Sequence, residues 1–81
     1  MIDFKALETL VWVATLRSFH RAAVKLNTTQ PAVSQRIAQL ETEIGARLLE
    51  REKRNVIPTE AGRHVLDYAD RLLRLRAEML H

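Results

Sequence analysis

The sequence predicts one small, mainly α domain: three helices, a small β-hairpin, and then a long last helix. Three observations predict it. Apolar residues recur at helical spacing in four separate runs. Each run is preceded by a side chain suited to helix N-capping, namely Asp3, Ser18, Thr29 and Thr59. Only two Gly and two Pro occur in 81 residues, which leaves little material for long loops. A chain of this length makes one domain and buries only about 60–65% of its unfolded surface, so its core is marginal.

The elements follow in order. Asp3 caps a first helix, with Ile2 and Leu7 placed as a hydrophobic staple. Phe4, Leu7, Val11 and Ala14 form one face, and Leu10, Trp12, Val13 and Leu16 widen it, so much of this helix is expected to be buried. Ser18 caps a shorter helix whose stripe is Phe19, Ala22, Ala23 and Leu26; the paired alanines allow close approach of another helix. Asn27-Thr28-Thr29 breaks the pattern with turn and cap chemistry. Thr29 caps a third helix over 30–44 that tolerates Pro31 in its first turn, where amide donors are orphaned in any case. Its buried stripe is Val33, Ile37, Leu40 and Ile44, and Gly45 suits the left-handed position after it. A short helix, a tight turn and a longer helix make the helix-turn-helix plan, whose second helix enters the DNA major groove.

Leu48-Leu49-Glu50-Arg51 and Asn55-Val56-Ile57, separated by Glu52-Lys53-Arg54, are expected to pair as a wing with a basic tip, although no Asn-Gly or Asp-Gly marks the turn. Thr59 then caps a helix running to near His81, with Glu60 well placed against its dipole. Ala61, Val65, Tyr68, Leu72, Leu75 and Met79 keep an a/d heptad spacing, while Leu66, Ala69, Leu73 and Leu80 line the neighbouring side. One side is expected to pack on the chain's own core and the other on a second copy. Residues 1–58 would then form the reading head and residues 59–81 the dimerisation helix, with Val65, Tyr68, Ala69, Leu72, Leu75 and Met79 at the dimer interface.

Composition excludes several function classes. The chain is 47% hydrophobic and 28% charged, which fits a globular domain and not a disordered one. Without cysteine there is neither a disulfide framework nor a thiolate metal site. His20, His64 and His81 lie at no metal-ligand spacing, Ser18 and Ser34 lack a patterned base, and no Gly-rich phosphate loop occurs. No metal, no cofactor and no enzymatic activity are expected. The longest apolar stretch, Leu10 to Leu16, is too short for a bilayer span or a signal core, so no membrane partner is expected and the cytoplasm is the expected location.

The net charge is only +3, but no acid falls between Thr9 and Leu40, a window holding Arg17, Arg21, Lys25 and Arg36. Such a local basic face attracts phosphate. Once the buried stripe of the third helix is removed, Gln30, Pro31, Ser34, Gln35 and Ala38 remain outward on one side. A merely solvated face would carry Glu and Lys. Amides and hydroxyls instead suit base edges, glutamine pairing with adenine N6 and N7, and Ala38 and the Pro31 ring suit a thymine methyl. Uncharged readout groups bordered by Arg36, Arg21 and Lys25 predict a sequence-specific binder of a double-stranded DNA operator. A protein-interaction module built on the heptad helix, or a sequence-blind architectural protein, would need no amide face; the former would need no acid-free window either.

The run from Ser18 to Ala23, then Leu26 to Ile37, Leu40-Glu41, Gly45, Leu48 to Arg51 and Pro58-Thr59-Glu60-Ala61-Gly62 resembles the N-terminal domain of LysR-type transcriptional regulators over nearly the whole chain. The resemblance implies a winged helix-turn-helix and a linker helix that pairs antiparallel in a homodimer. It implies bacterial transcription control at an interrupted palindrome near a promoter. By position, Gln30, Pro31, Ser34 and Gln35 would face bases, and Thr28, Thr29 and Arg36 would meet backbone phosphate. Lys53 and Arg54 would be wing contacts. Position 35 is often arginine in the family, so Gln35 shifts preference away from guanine; Leu49 for the usual phenylalanine changes packing only. Family members carry a larger C-terminal effector-binding domain, which is expected to be absent here, so a small-molecule effector would act only through that missing domain.

Overall fold

The computed structural model describes residues 2–81. In chain order it comprises α1 (Phe4–Leu16), α2 (Phe19–Lys25), α3 (Gln30–Ile44), β1 (Leu49–Glu52), β2 (Asn55–Pro58) and α4 (Glu60–Met79). This is the winged helix-turn-helix architecture expected from the sequence.

All four expected N-caps are formed. Asp3 accepts from the Ala6 amide at 2.8 Å, Ser18 from Arg21 at 3.0 Å, Thr29 from Ala32 at 3.2 Å and Thr59 from Gly62 at 2.9 Å. Each satisfies one donor that the first turn leaves orphaned. At the helix ends Arg17 and Gly45 adopt left-handed backbone, with φ of 56° and 84°. In the turn between α2 and α3, Asn27 does the same at φ 56°.

The core sits where the three head helices converge. Leu10 and Val13 of α1, Val33 and Leu40 of α3 and Leu48 after α3 are sealed from solvent. Ala22 and Ala23 bring α2 in close, as their pairing predicted. The wing adds Leu49 and Val56, and α4 adds Ala69.

Several expectations needed correction. Phe4, placed on the buried face of α1, is 43% exposed, whereas Thr9 is fully buried. The Thr9 hydroxyl donates to the Lys5 carbonyl at 2.7 Å, which removes the cost of burying it. The wing turn has two residues, not three. Glu52 pairs with Asn55, and Lys53, at φ 58°, supplies the left-handed residue that Asn or Gly usually supplies. Leu48 is not in the strand but plugs the core ahead of it.

The largest correction concerns α4. Ala69, expected at the dimer interface, turns into the chain's own core and is fully buried, while Val65, expected there too, is half-buried against the same cluster. The reason is geometric. Gly62, Leu66, Ala69, Leu73 and Arg76 share one stripe of a 3.6-residue helix, and Val65 borders it. The first half of α4 is therefore part of the head. Tyr68, Leu72, Leu75 and Met79 stay exposed, at 49%, 43%, 60% and 75%, and Leu80 is exposed with them.

Candidate nucleic-acid interface

The chain between Lys25 and Ile44 builds an exposed face of uncharged side chains on α3. Thr28 donates its amide to the Ala23 carbonyl at 2.9 Å, and Asn27 donates to Val24 at 3.2 Å, so the turn is closed by backbone bonds. Val33, Ile37 and Leu40 anchor α3 from below. With that stripe buried, helix geometry forces Gln30, Pro31, Ser34, Gln35 and Ala38 outward, and all five are exposed. Among the described residues, no hydrogen bond occupies the side-chain donors and acceptors of Gln30, Ser34 and Gln35.

The expected backbone-contact residues fall into two groups. Thr29 is exposed at the head of α3, its oxygen already accepting from Ala32. Thr28 and Arg36 are half-buried and line one cleft on the α1 side of α3, together with Lys5, Glu8 and Asn27. Lys53 and Arg54 stand exposed at the wing tip, on the opposite flank. The face formed by Gln30, Ser34 and Gln35 is thus bracketed by one cationic group on each side.

The acid-free window of the sequence is not acid-free in space. Glu8 lines the Arg36 cleft, because α1 returns beside α3. Lys25, expected among the cations that border the reading face, holds its ammonium 4.7 Å from the centre of the Trp12 ring. Trp12 itself is half-buried against the core, so it serves packing on one side and cation–π contact on the other.

Two residues escaped the sequence reading. A groove of about 600 Å³ separates α3 from the wing, and Ser34, Ala38, Glu41, Arg47 and Arg51 line it. Arg51 shares the face of β1 with buried Leu49, which lays its guanidinium 4.9 Å over the Phe19 ring. The only sequence signal was a basic cluster diluted by Glu50 and Glu52, and strand alternation is what separates those charges. Glu41 is also in this wall, but its carboxylate turns inward. Its Oε2 accepts from the amides of Leu48, at 2.8 Å, and Leu49, at 3.4 Å. It ties α3 to the start of the wing.

Comparison with known proteins agrees with this geometry. The family model for bacterial regulatory helix-turn-helix proteins of the lysR family matches residues 4–63. The chain is 43% identical over 86 residues to the uncharacterised HTH-type transcriptional regulator YnfL of Escherichia coli (strain K12), an alignment covering 99% of this chain and 29% of that protein. It thus spans under a third of the length of the curated relatives it matches. Among solved structures, it is similar to the chain in the BenM_DBD/benA site 1 DNA complex, with a TM-score of 0.93 and 38% identity, over 98% of this chain and 89% of that one. The CbnR_DBD–DNA complex gives a TM-score of 0.91 and 32% identity, over 96% and 90%. With the motifs, the fold and the family match in agreement, the chain belongs to the lysR family of bacterial regulatory helix-turn-helix proteins.

Proposed function

We propose that this chain binds an operator in double-stranded DNA as a homodimer and regulates transcription, each α3 lying in a major groove. The observation that carries the proposal is the exposed, uncharged face of Gln30, Pro31, Ser34 and Gln35, bracketed by Arg36 and by Lys53 and Arg54. The BenM and CbnR domains it resembles were solved as DNA complexes, which supports DNA binding by this chain. Thr28, Thr29 and Arg36 hold phosphate on one flank, and the wing tip holds it on the other. Tyr68, Leu72, Leu75 and Met79 form the dimer contact, since a row of exposed apolar side chains on one helix needs a cover. In the domain organisation proposed, residues 1–58 form the reading head and 59–81 the dimerisation helix. Effector sensing belongs to sequence outside this chain. No described helix is long and apolar enough to cross a membrane.

Selection from a random duplex pool at two salt concentrations tests the proposal. Enrichment of an interrupted palindrome is the expected result. Binding that depends steeply on salt without enrichment would leave a phosphate-only binder, and no binding would leave an interaction module. Gln35→Ala is expected to weaken the selected site by about 1–3 kcal/mol and to relax the base preference at one position. Equal loss on selected and random duplexes would overturn the base-reading role of Gln35. Arg54→Ala is expected to weaken all duplexes alike and to lower the slope of log K against log salt by about 1. An unchanged slope would remove Arg54 from the phosphate contacts.

A further inference from the structure

We infer that Arg76, clamped to Glu8 and Phe4, sets the angle between the dimerisation helix and the reading head, and thereby the half-site spacing the dimer accepts. The inference rests on the proposed DNA-binding dimer and adds to it a residue that determines specificity without touching DNA.

Beyond Ala69 no residue of α4 is buried, and only Leu73 and Arg76 are even half-buried. The N-terminal half of α4 is held by the core. The C-terminal half, which carries Leu72, Leu75 and Met79, has little apolar anchorage to its own head. Arg76 supplies the polar one. Its Nη1 donates to Glu8 Oε1 at 3.0 Å, and both side chains are only about one-third exposed, at 35% and 36%. The same guanidinium lies 5.1 Å over the Phe4 ring. A planar, delocalised cation can serve a carboxylate and a ring face together; an ammonium cannot do so with the same geometry. The contact joins the first turns of α1 to the last turns of α4, beyond the part of α4 that the core holds. It also accounts for the exposed position of Phe4, whose ring has a partner outside the core.

A lever explains why this clamp matters. The part of α4 beyond its anchorage at Ala69, residues 70–79, spans about 15 Å. A swing of about 15° over that length moves its end by roughly 4 Å, more than the ~3.4 Å between successive base pairs. Two heads on a common dimer contact would then meet half-sites one or more base pairs closer or farther apart. The other ion pairs of α4, Asp67–Arg71 and Asp70–Arg74, lie within the helix at i, i+4 and leave its angle to the head untouched.

The test measures binding of the 81-residue chain to duplexes that keep the selected half-sites and vary only the spacer. The wild type is expected to prefer one spacer length. Arg76→Ala and Phe4→Leu are expected to flatten that preference, by up to about tenfold between the best spacer and its neighbours, while half-site sequence preference stays as it was. The paired exchange Glu8→Arg with Arg76→Glu restores the ion pair and is expected to recover part of the preference. Thermal unfolding followed by circular dichroism checks that each variant folds. A spacer profile identical to wild type in both single variants, or an equal loss on every spacer, overturns the clamp and leaves the proposed function standing. A wild type that enriches no palindrome overturns the proposed function, and the clamp with it.

Discussion

Gly62→Ala is expected to cost the protein about 3 kcal/mol, enough to remove much of its stability. The expectation runs against helix propensity, since alanine in place of glycine in an exposed helix interior stabilises by about 1 kcal/mol. Gly62 is buried at the third position of α4, against the chain that leads into the wing. A Cβ there would overlap the Leu48 carbonyl oxygen and stand 2.9 Å from the carbonyl carbon. A flexible side chain could turn aside; a backbone carbonyl cannot. This one is also engaged, accepting from the Thr59 amide at 3.0 Å. Relief requires α4 to lift away from Leu48, which opens the core at Leu48 and Ala69. A domain of this size has roughly 4–12 kcal/mol in total. The midpoint of thermal unfolding is expected to fall by about 15 °C, at about 4–8 °C per kcal/mol. Urea or thermal unfolding checks it. A variant as stable as wild type would mean that α4 and the wing lead do not meet as closely as described.

Glu41→Ala is expected to be the most costly single truncation of a polar side chain, at about 2 kcal/mol. The carboxylate accepts from the Leu48 amide at 2.8 Å and more weakly from Leu49 at 3.4 Å. Both residues are buried, so water cannot fully replace the lost acceptor. Hydrogen bonds to a charged acceptor contribute about 1.5–3 kcal/mol, and the longer of the two contributes little. Glu41→Gln keeps an acceptor oxygen and is expected to lose about half as much. The functional consequence separates this residue from an ordinary core position. Leu48 and Leu49 lead directly into β1, so without Glu41 the wing loses its polar tie to α3. If the DNA proposal holds, Glu41→Ala lowers the salt slope as Arg54→Ala does. The double variant then loses less than the sum of the two, because both act on the same wing contacts. Full additivity would confine Glu41 to stability alone.

Leu48 links these two results. Its side chain is sealed in the core, its amide is held by Glu41 and its carbonyl by Thr59, with Gly62 pressed against it. The Thr59 hydroxyl adds a bond to the Arg47 carbonyl at 2.6 Å. Wing, α3 and α4 converge at this one residue. That convergence was invisible in the sequence, where Leu48 looked like the first residue of a strand.

Local signals were the legible part. Four caps, the Gly45 stop, the outward side of α3 and the two-sided apolar character of α4 are properties of residues within one turn or one helix face. Periodicity and capping act at that range, so the sequence by itself determined which segments are helices and which residues of α3 point away from the core. It determined the family as well, through motifs in a fixed order.

Tertiary structure decided whatever depends on which segment lies beside which. The heptad pattern of α4 shows two apolar stripes but cannot say which meets the head; close approach at Gly62 and Ala69 chose the inner one. The charge window of the sequence was clean, yet α1 returns beside α3 and sets Glu8 in the Arg36 cleft. The groove between α3 and the wing, with Arg47 and Arg51 on its wall, exists only once the wing is folded against α3, a placement to which Glu41 contributes a polar tie. The clamp from Arg76 to Glu8 spans 68 residues of chain. Hydrogen bonds and ion pairs act over a few ångströms, and no local rule of sequence specifies which distant residues are brought within that range.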